Sequence, residues 1–379
     1  MSATSSLRSP AASARAKFAT ARTEMSSALI ERDDEIDLVL TALIAKEHVL
    51  LVGPPGCAKS LLLDSLLTWA GGVRFALLLT KYTVPEEVVG PVSLAGLRDD
   101  RYLRITTGKL PEADFAYLDE VFKASSAILN TLLKILNERT FDAGDGVARR
   151  VPLKLCVGAS NEWPSPETGK ELAALFDRFC FRKSVRPILT QEGRKRLLWE
   201  RDHVPTLSTS IAPVEVEAAH FEAMSLPWSA SAREALESVI RELAREGVRP
   251  GDRRQVKAVA AARAFAWLQN AGQVEPEHLE VLASVLWDDP QEQPGVCARV
   301  IAKVANPVGM RVNTLLLEVE EILAGADVRN LTEAAKAAAK LAEIDRQLTG
   351  LASTGRVERA RAYVRDQLRR LKLASLEAI

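Results

Sequence analysis

Residues 53–60 read Gly-Pro-Pro-Gly-Cys-Ala-Lys-Ser, between an apolar run (48–52) and a leucine-rich segment (61–67). Strand, glycine-containing loop, Lys-Ser and helix is the layout of a phosphate-binding loop. Gly53 and Gly56 lack a Cβ, so the backbone can turn tightly and approach phosphate oxygens. Amides of residues 56–61 can turn inward as a nest at the positive end of the following helix. Lys59 can reach the β- and γ-phosphates as a point charge, and Ser60 can offer its hydroxyl to Mg²⁺. Gly53, Pro54, Pro55, Gly56, Cys57, Ala58, Lys59, Ser60 and Leu61 are therefore the expected nucleotide-binding set. Ala58 stands where a glycine is usual, and a positive φ there would disfavour it.

A second apolar run, Phe115-Ala116-Tyr117-Leu118, ends in Asp119-Glu120. A carboxylate at a strand's carboxyl end can hold Mg²⁺, directly or through water, which is the role expected of Asp119. Glu120 would orient and deprotonate the attacking water. Between the two motifs there is room for one more strand and helix. Ligands of such sheets sit beyond the strands' carboxyl ends. The loop, Asp119-Glu120 and Asn161 all fall at such ends.

These groups need a scaffold, and the chain has length for two to three compact units in 379 residues. The 50 basic and 50 acidic side chains cancel, so no net field steers the protein onto nucleic acid or an anionic membrane. Cys57, Cys156, Cys180 and Cys297 lack paired spacing, and the histidines form no metal-spaced pair. A reducing cytosol is the expected setting. No stretch approaches the roughly 20 apolar residues of a membrane span.

The pattern predicts an α/β fold: a P-loop NTPase core with a mostly parallel sheet, then an all-α lid, then a C-terminal helical hairpin. Residues 1–13, rich in Ser, Ala and Pro, read as a disordered leader. The nucleotide-binding domain is expected at 14–189, the lid at 190–290 and the hairpin at 291–379. Within the first domain, 81–111 has the Gly/Pro content of an inserted surface element, and 143–146 reads as a hairpin tip. Helices are expected over 124–139, 191–202, 214–222, 229–246, 252–270 and 276–287, then over 296–349 and 354–376.

The order of these motifs resembles an AAA+ ATPase, within that superfamily the MoxR group, and most of all its RavA branch. The words that carry it are Gly53 to Ser60, Pro85-Glu-Glu-Val-Val-Gly-Pro91, Leu118-Asp-Glu-Val-Phe-Lys123, Ile128-Leu-Asn-Thr-Leu-Leu133, Leu136-Asn-Glu-Arg139, Ala159-Ser-Asn-Glu162, Phe176-Asp-Arg-Phe179 and Gly251-Asp-Arg-Arg254. They cover about residues 25–290. Ala58 is itself similar to that group's loop.

The resemblance implies ATP and Mg²⁺ as ligands and a ring, taken as a hexamer. It implies that Asn161 is a strand-end sensor and that Arg178 is an arginine finger acting on the neighbouring subunit's nucleotide, with Arg182 as its rival. It places Arg253, or else Arg254, as a second sensor reaching from the lid onto the same phosphate. Segments 81–111 and 139–153 would be pore-facing elements. A protein client and a partner with a von Willebrand factor A domain are expected, and the leading function is ATP-driven remodelling of protein complexes. Two alternatives stay open. One is a ring motor stimulated by nucleic acid, with Lys81, Arg98, Arg101, Arg104 and Lys109 as contacts. The other is a non-hydrolysing nucleotide-dependent scaffold.

Overall fold

The computed structural model describes residues 10–164, 170–200, 204–324, 331–351 and 355–377. The first element is helix α1 (Pro10–Ala28). Residues 1–9 of the expected leader lie outside the described residues, but Pro10 to Ser13 are helical. Proline is tolerated in a first turn because its missing N–H has no partner there anyway. Helix α2 (Asp33–Ala45) leads into strand β1 (His48–Val52). Helix α3 (Lys59–Trp69), strand β2 (Arg74–Leu78), the short helices α4 (Pro85–Val89) and α5 (Leu94–Arg98) and strand β3 (Phe115–Asp119) follow.

Helix α6 (Ser126–Glu138) ends where Arg139 turns left-handed at φ 53°. The hairpin of β4 (Thr140–Asp142) and β5 (Ala148–Arg150) comes next. Strand β6 (Leu155–Ser160), helix α7 (Lys170–Arg178) and strand β7 (Phe179–Ser184) complete the core.

Five strands form one sheet in the order β2-β3-β6-β1-β7, every neighbouring pair parallel. Parallelism puts all five carboxyl ends on one side. Every residue of β1 and β6 is buried, as expected of strands covered on both faces. His48 opens β1 inside this core. Its Nδ1 accepts from Cys156 N at 3.0 Å, which leaves the proton on Nε2, 3.0 Å from Leu136 O. Burial holds its pKa well below the usual histidine range.

The expected inserted element is two short helices and a bridge between Val92 and Arg104. It is bound to the β4–β5 hairpin. Arg104 N donates to Ala143 O at 2.8 Å. A Cβ on Gly144, whose φ is +113°, would lie 2.2 Å from Tyr102 O, so only glycine permits this contact.

The lid comprises α8 (Gln191–Trp199), α9 (Pro213–Ser225), α10 (Ala230–Arg245) and α11 (Asp252–Leu268). The expected helix at 276–287 is instead 3₁₀, over Pro276–Ser284. Helix α12 (Gln293–Ala305) buries Cys297, Val300, Ile301 and Ala305 in the main core, which therefore continues past residue 290.

The expected C-terminal hairpin is a three-helix bundle: α13 (Pro307–Ala324), α14 (Leu331–Thr349) and α15 (Gly355–Glu377). Pro307 stops the long helix predicted over 296–349, because proline disfavours helical geometry in the residue before it. Asn306 accordingly sits at φ −142°, ψ 60°. The bundle has a core of its own, built on Val312, Leu315, Val319, Leu341, Ile344, Leu348, Val357 and Val364.

Candidate nucleotide site

The P-loop leaves β1 at Gly53, whose N donates to Ser160 O at 3.1 Å. A Cβ on Gly53 would lie 2.2 Å from Val185 O, so this glycine is needed for packing against the segment after β7. Gly56 turns at φ +83° and Ala58 at φ 59°. The strain foreseen at Ala58 is therefore real: a left-handed L-residue costs roughly 1–2 kcal/mol.

Lys59 begins α3 and folds back into the loop. Its Nζ donates to Gly53 O at 2.5 Å and Pro54 O at 3.0 Å, with Asn161 Oδ1 at 3.4 Å. All three acceptors are neutral. Burial lowers the Lys59 pKa, while Cys57, Asp119 and Glu120 pull it back up. A partly desolvated cation resting on neutral oxygens is a place prepared for an anion.

Asp119 and Glu120 stand at the end of β3. Asp119 Oδ1 accepts from Glu120 N at 2.9 Å. Glu120 itself is left-handed, φ 52°, which swings its carboxylate toward the end of β6. There Asn161 Nδ2 donates to Glu120 Oε1. Glu120 Oε2 is out of solvent with no hydrogen bond, and Lys123 Nζ lies 3.3 Å away. Lys59, Ser60, Asp119, Glu120 and Asn161 are thus assembled at one end of the sheet.

The two predicted arginines stand at the other end. Arg178 closes α7 directly before Phe179, which lies beside His48 at the amino end of β1. Arg253 Nη2 donates to Asn137 Oδ1, one residue beyond the Leu136 carbonyl that His48 holds. The five residues of β1 put roughly 13 Å or more between this end and the P-loop.

The rival arginines are committed elsewhere. Arg182 has a side chain 0% exposed, stacks 3.9 Å over the Phe176 ring and donates to the carbonyls of Trp287, Phe176 and Phe179. Arg254 donates to Val285 O at 2.9 Å and Asp177 Oδ1 at 2.8 Å. Arg178 is less committed: its side chain is 22% exposed, Nη1 is 3.3 Å from Asp177 Oδ2, and the buried Nε has no hydrogen bond among the described residues.

Two neighbours of the P-loop carry little signal in the sequence. Arg32, 4% exposed, donates from Nε to Cys57 O at 3.2 Å and from Nη2 to Arg186 O at 2.7 Å. Tyr117 Oη lies 3.2 Å from Ser60 Oγ. Alternation along β3 could have flagged Tyr117, since residues two apart share a face and its partner there is Asp119. Arg32 also lines a cavity of about 820 Å³ with Glu31, Lys183, Arg186, Ser284 and Trp287, between core and lid.

The family model described as the MoxR domain in MoxR–vWA–β-propeller ternary systems matches residues 16–218. That is more than half of the chain, and it spans the P-loop, Asp119-Glu120, Asn161 and Arg178. The chain belongs to the MoxR family. Its relatives include an uncharacterized protein of Methanocaldococcus jannaschii, 39% identical over 287 residues, or 75% of each chain. They also include the chaperone MoxR1 of Mycobacterium tuberculosis, 27% identical over 169 residues, covering 43% of this chain and 42% of that one. A solved Cytophaga hutchinsonii structure described as a "putative ATPase" has a TM-score of 0.61 at 17% identity, covering 78% of this chain and 96% of that one. That likeness shows the fold: the AAA+ α/β core with a helical lid. Among the described residues no helix of this MoxR protein is long and apolar enough to cross a membrane.

Proposed function

We propose that this MoxR protein binds ATP with Mg²⁺ at the P-loop and hydrolyses it at a site shared between two copies in a closed ring, taken as six. The separation of Lys59 from Arg178 along β1 is the observation that carries this reading. An arginine whose backbone directly precedes Phe179, at the amino end of the strands, is better placed for another copy's P-loop than for that of its own chain. It can serve a neighbour's, and Arg253 shares its end.

The residues fit the ligands. Lys59 trades three neutral oxygens for phosphate, and the loop amides face the same anion. Ser60 and Asp119 are the oxygen donors for a hard divalent cation. When bound, Mg²⁺ would neutralise charge on the β- and γ-phosphates. Glu120 holds a water for in-line attack and takes its proton at Oε1 or Oε2, while Asn161 fixes the carboxylate's direction. Arg178 from the adjoining copy meets the charge that develops on the transferred group, a contribution worth about 10³–10⁵ in rate in well-studied NTPases. The cavity beside Arg32 suits the base, between core and lid.

Movement of the lid would reach a protein client through the 81–111 element and the β4–β5 hairpin, which are packed together at Arg104–Ala143 and Gly144–Tyr102. Remodelling of protein complexes, beside a partner with a von Willebrand factor A domain, is the reading favoured by a family described in such systems. The RavA-like branch and a cytosolic setting belong to the same proposal. Against the nucleic-acid alternative, Arg104 donates to Gly90 O at 2.8 Å and Lys109 to Glu87 O at 3.1 Å, bonds that a phosphate would have to replace.

Mixing two inactive variants tests the shared site. Lys59→Ala retains Arg178, and Arg178→Ala retains the P-loop. Together they should recover part of wild-type turnover at junctions that join the two intact halves. Turnover by dilute wild type held as a monomer, at the rate of concentrated protein, would overturn it.

A further inference from the structure

Tyr117 is buried, 8% exposed, in the middle of β3. Packing alone would be served by phenylalanine. The hydroxyl instead reaches across to α3, 3.2 Å from Ser60 Oγ. It therefore stands against a side chain that the proposed function gives to the divalent cation, and the inference rests on that assignment.

The direction of the protons follows from the chemistry of a hydroxyl ligand. A serine oxygen that binds a cation points a lone pair at it, so its hydrogen must be donated elsewhere. The phenol oxygen beside it can accept that hydrogen. The order that frees a Ser60 lone pair is therefore Ser60 donating to Tyr117 Oη. The opposite order would turn the Ser60 hydrogen toward the cation.

We propose that Tyr117 is a positioning residue that fixes the Ser60 hydroxyl rotor, so that Ser60 presents a lone pair to Mg²⁺. No bond is made or broken, and the residue touches neither phosphate nor water. Its contribution is to remove a wrong orientation of Ser60 before the cation arrives, as partners of metal ligands commonly do.

The test is binding of a fluorescent N-methylanthraniloyl ATP by the full-length protein, with Mg²⁺ and with EDTA. The gain in affinity that Mg²⁺ confers is the readout, and the EDTA value reports whether loop and fold are intact. Tyr117→Phe should match wild type in EDTA within about twofold and lose about tenfold of the Mg²⁺ gain. Tyr117→Met, equally without a hydroxyl, should show the same split if the phenylalanine variant does not fold. Combined with Ser60→Ala, Tyr117→Phe should add nothing further, because the rotor it acts on is gone. A full Mg²⁺ gain in Tyr117→Phe, while Ser60→Ala loses it, would overturn the role of Tyr117 and leave Ser60 as a cation ligand. A full gain in Ser60→Ala would overturn both.

Discussion

Asn161 and Glu120 are joined side chain to side chain across two strand ends, Nδ2 donating to Oε1, while the Asn161 carbonyl faces Lys59 Nζ at 3.4 Å. One amide thus holds the proposed base and touches the lysine proposed to bind phosphate. Glu120→Gln should bind ATP within a few-fold of wild type and lose about 10²–10⁴ in turnover, because an amide cannot take the proton. Asn161→Ala should lower kcat about 10²-fold with little change in KM, since it releases the base from its attack geometry. Single-turnover hydrolysis beside equilibrium binding separates the two effects. Wild-type turnover in Glu120→Gln would remove that residue as the base.

Ala58 carries strain that glycine would relieve. Its φ of 59° costs roughly 1–2 kcal/mol for an L-residue. The added freedom of the unfolded chain returns roughly 0.5–1 kcal/mol of that. Ala58→Gly should therefore stabilise by about 0.5–1 kcal/mol in chemical denaturation and leave ATP affinity within threefold. A destabilised variant would show that the Ala58 methyl makes a contact that outweighs the backbone term.

Arg178 and Arg182 should separate function from folding. Arg182→Ala removes donors from three buried carbonyls and the stack on Phe176, a loss of about 3 kcal/mol or more. Arg178→Ala should melt closer to wild type than Arg182→Ala, because among the described residues its side-chain polar contact is the ion pair with Asp177. Its hydrolysis alone should collapse. Calorimetry beside turnover assays reads both, and the reverse pattern would exchange the two roles.

His48 predicts an acid limit. Burial depresses its folded pKa far below the unfolded value, so below about pH 6.5 the unfolded chain takes up a proton that the native chain refuses. The stability contributed by neutral His48 is fully present above that pH and declines as pH falls, at up to about 1.4 kcal/mol per pH unit. Denaturant midpoints of wild type and His48→Gln across pH 4.5–7.5 check this. Parallel slopes in the two proteins would show that other groups set the limit.

How much of this was legible follows from where the signal was local. β1 matches its predicted bounds because a wholly buried parallel strand is a continuous apolar run. The P-loop and Asp119-Glu120 are contiguous words, so their placement could be read before any contact was known. The choice between Arg178 and Arg182 was not legible. It depends on Phe176 and Trp287 closing around one guanidinium, a contact across 105 residues. Tyr117 sits inside an apolar strand; alternation places it on the face of Asp119, but its reach to Ser60 depends on α3 lying opposite. The C-terminal helices differ for another reason: the apolar periodicity continues on both sides of Asn306-Pro307, so it predicts one long helix where proline makes two, while the break before α15 falls where it is expected.

The two poles of β1 have a combinatorial consequence. On the shared-site proposal each copy carries a socket at one pole and a plug at the other, a head-to-tail pairing. An open row of such copies always has one socket unfilled and one plug idle, however long it grows. Closing the row on itself removes that defect. Under the shared-site reading, activity per copy should therefore climb with row length and reach its ceiling only at closure, and one blocked junction should leave its neighbours' junctions chemically complete.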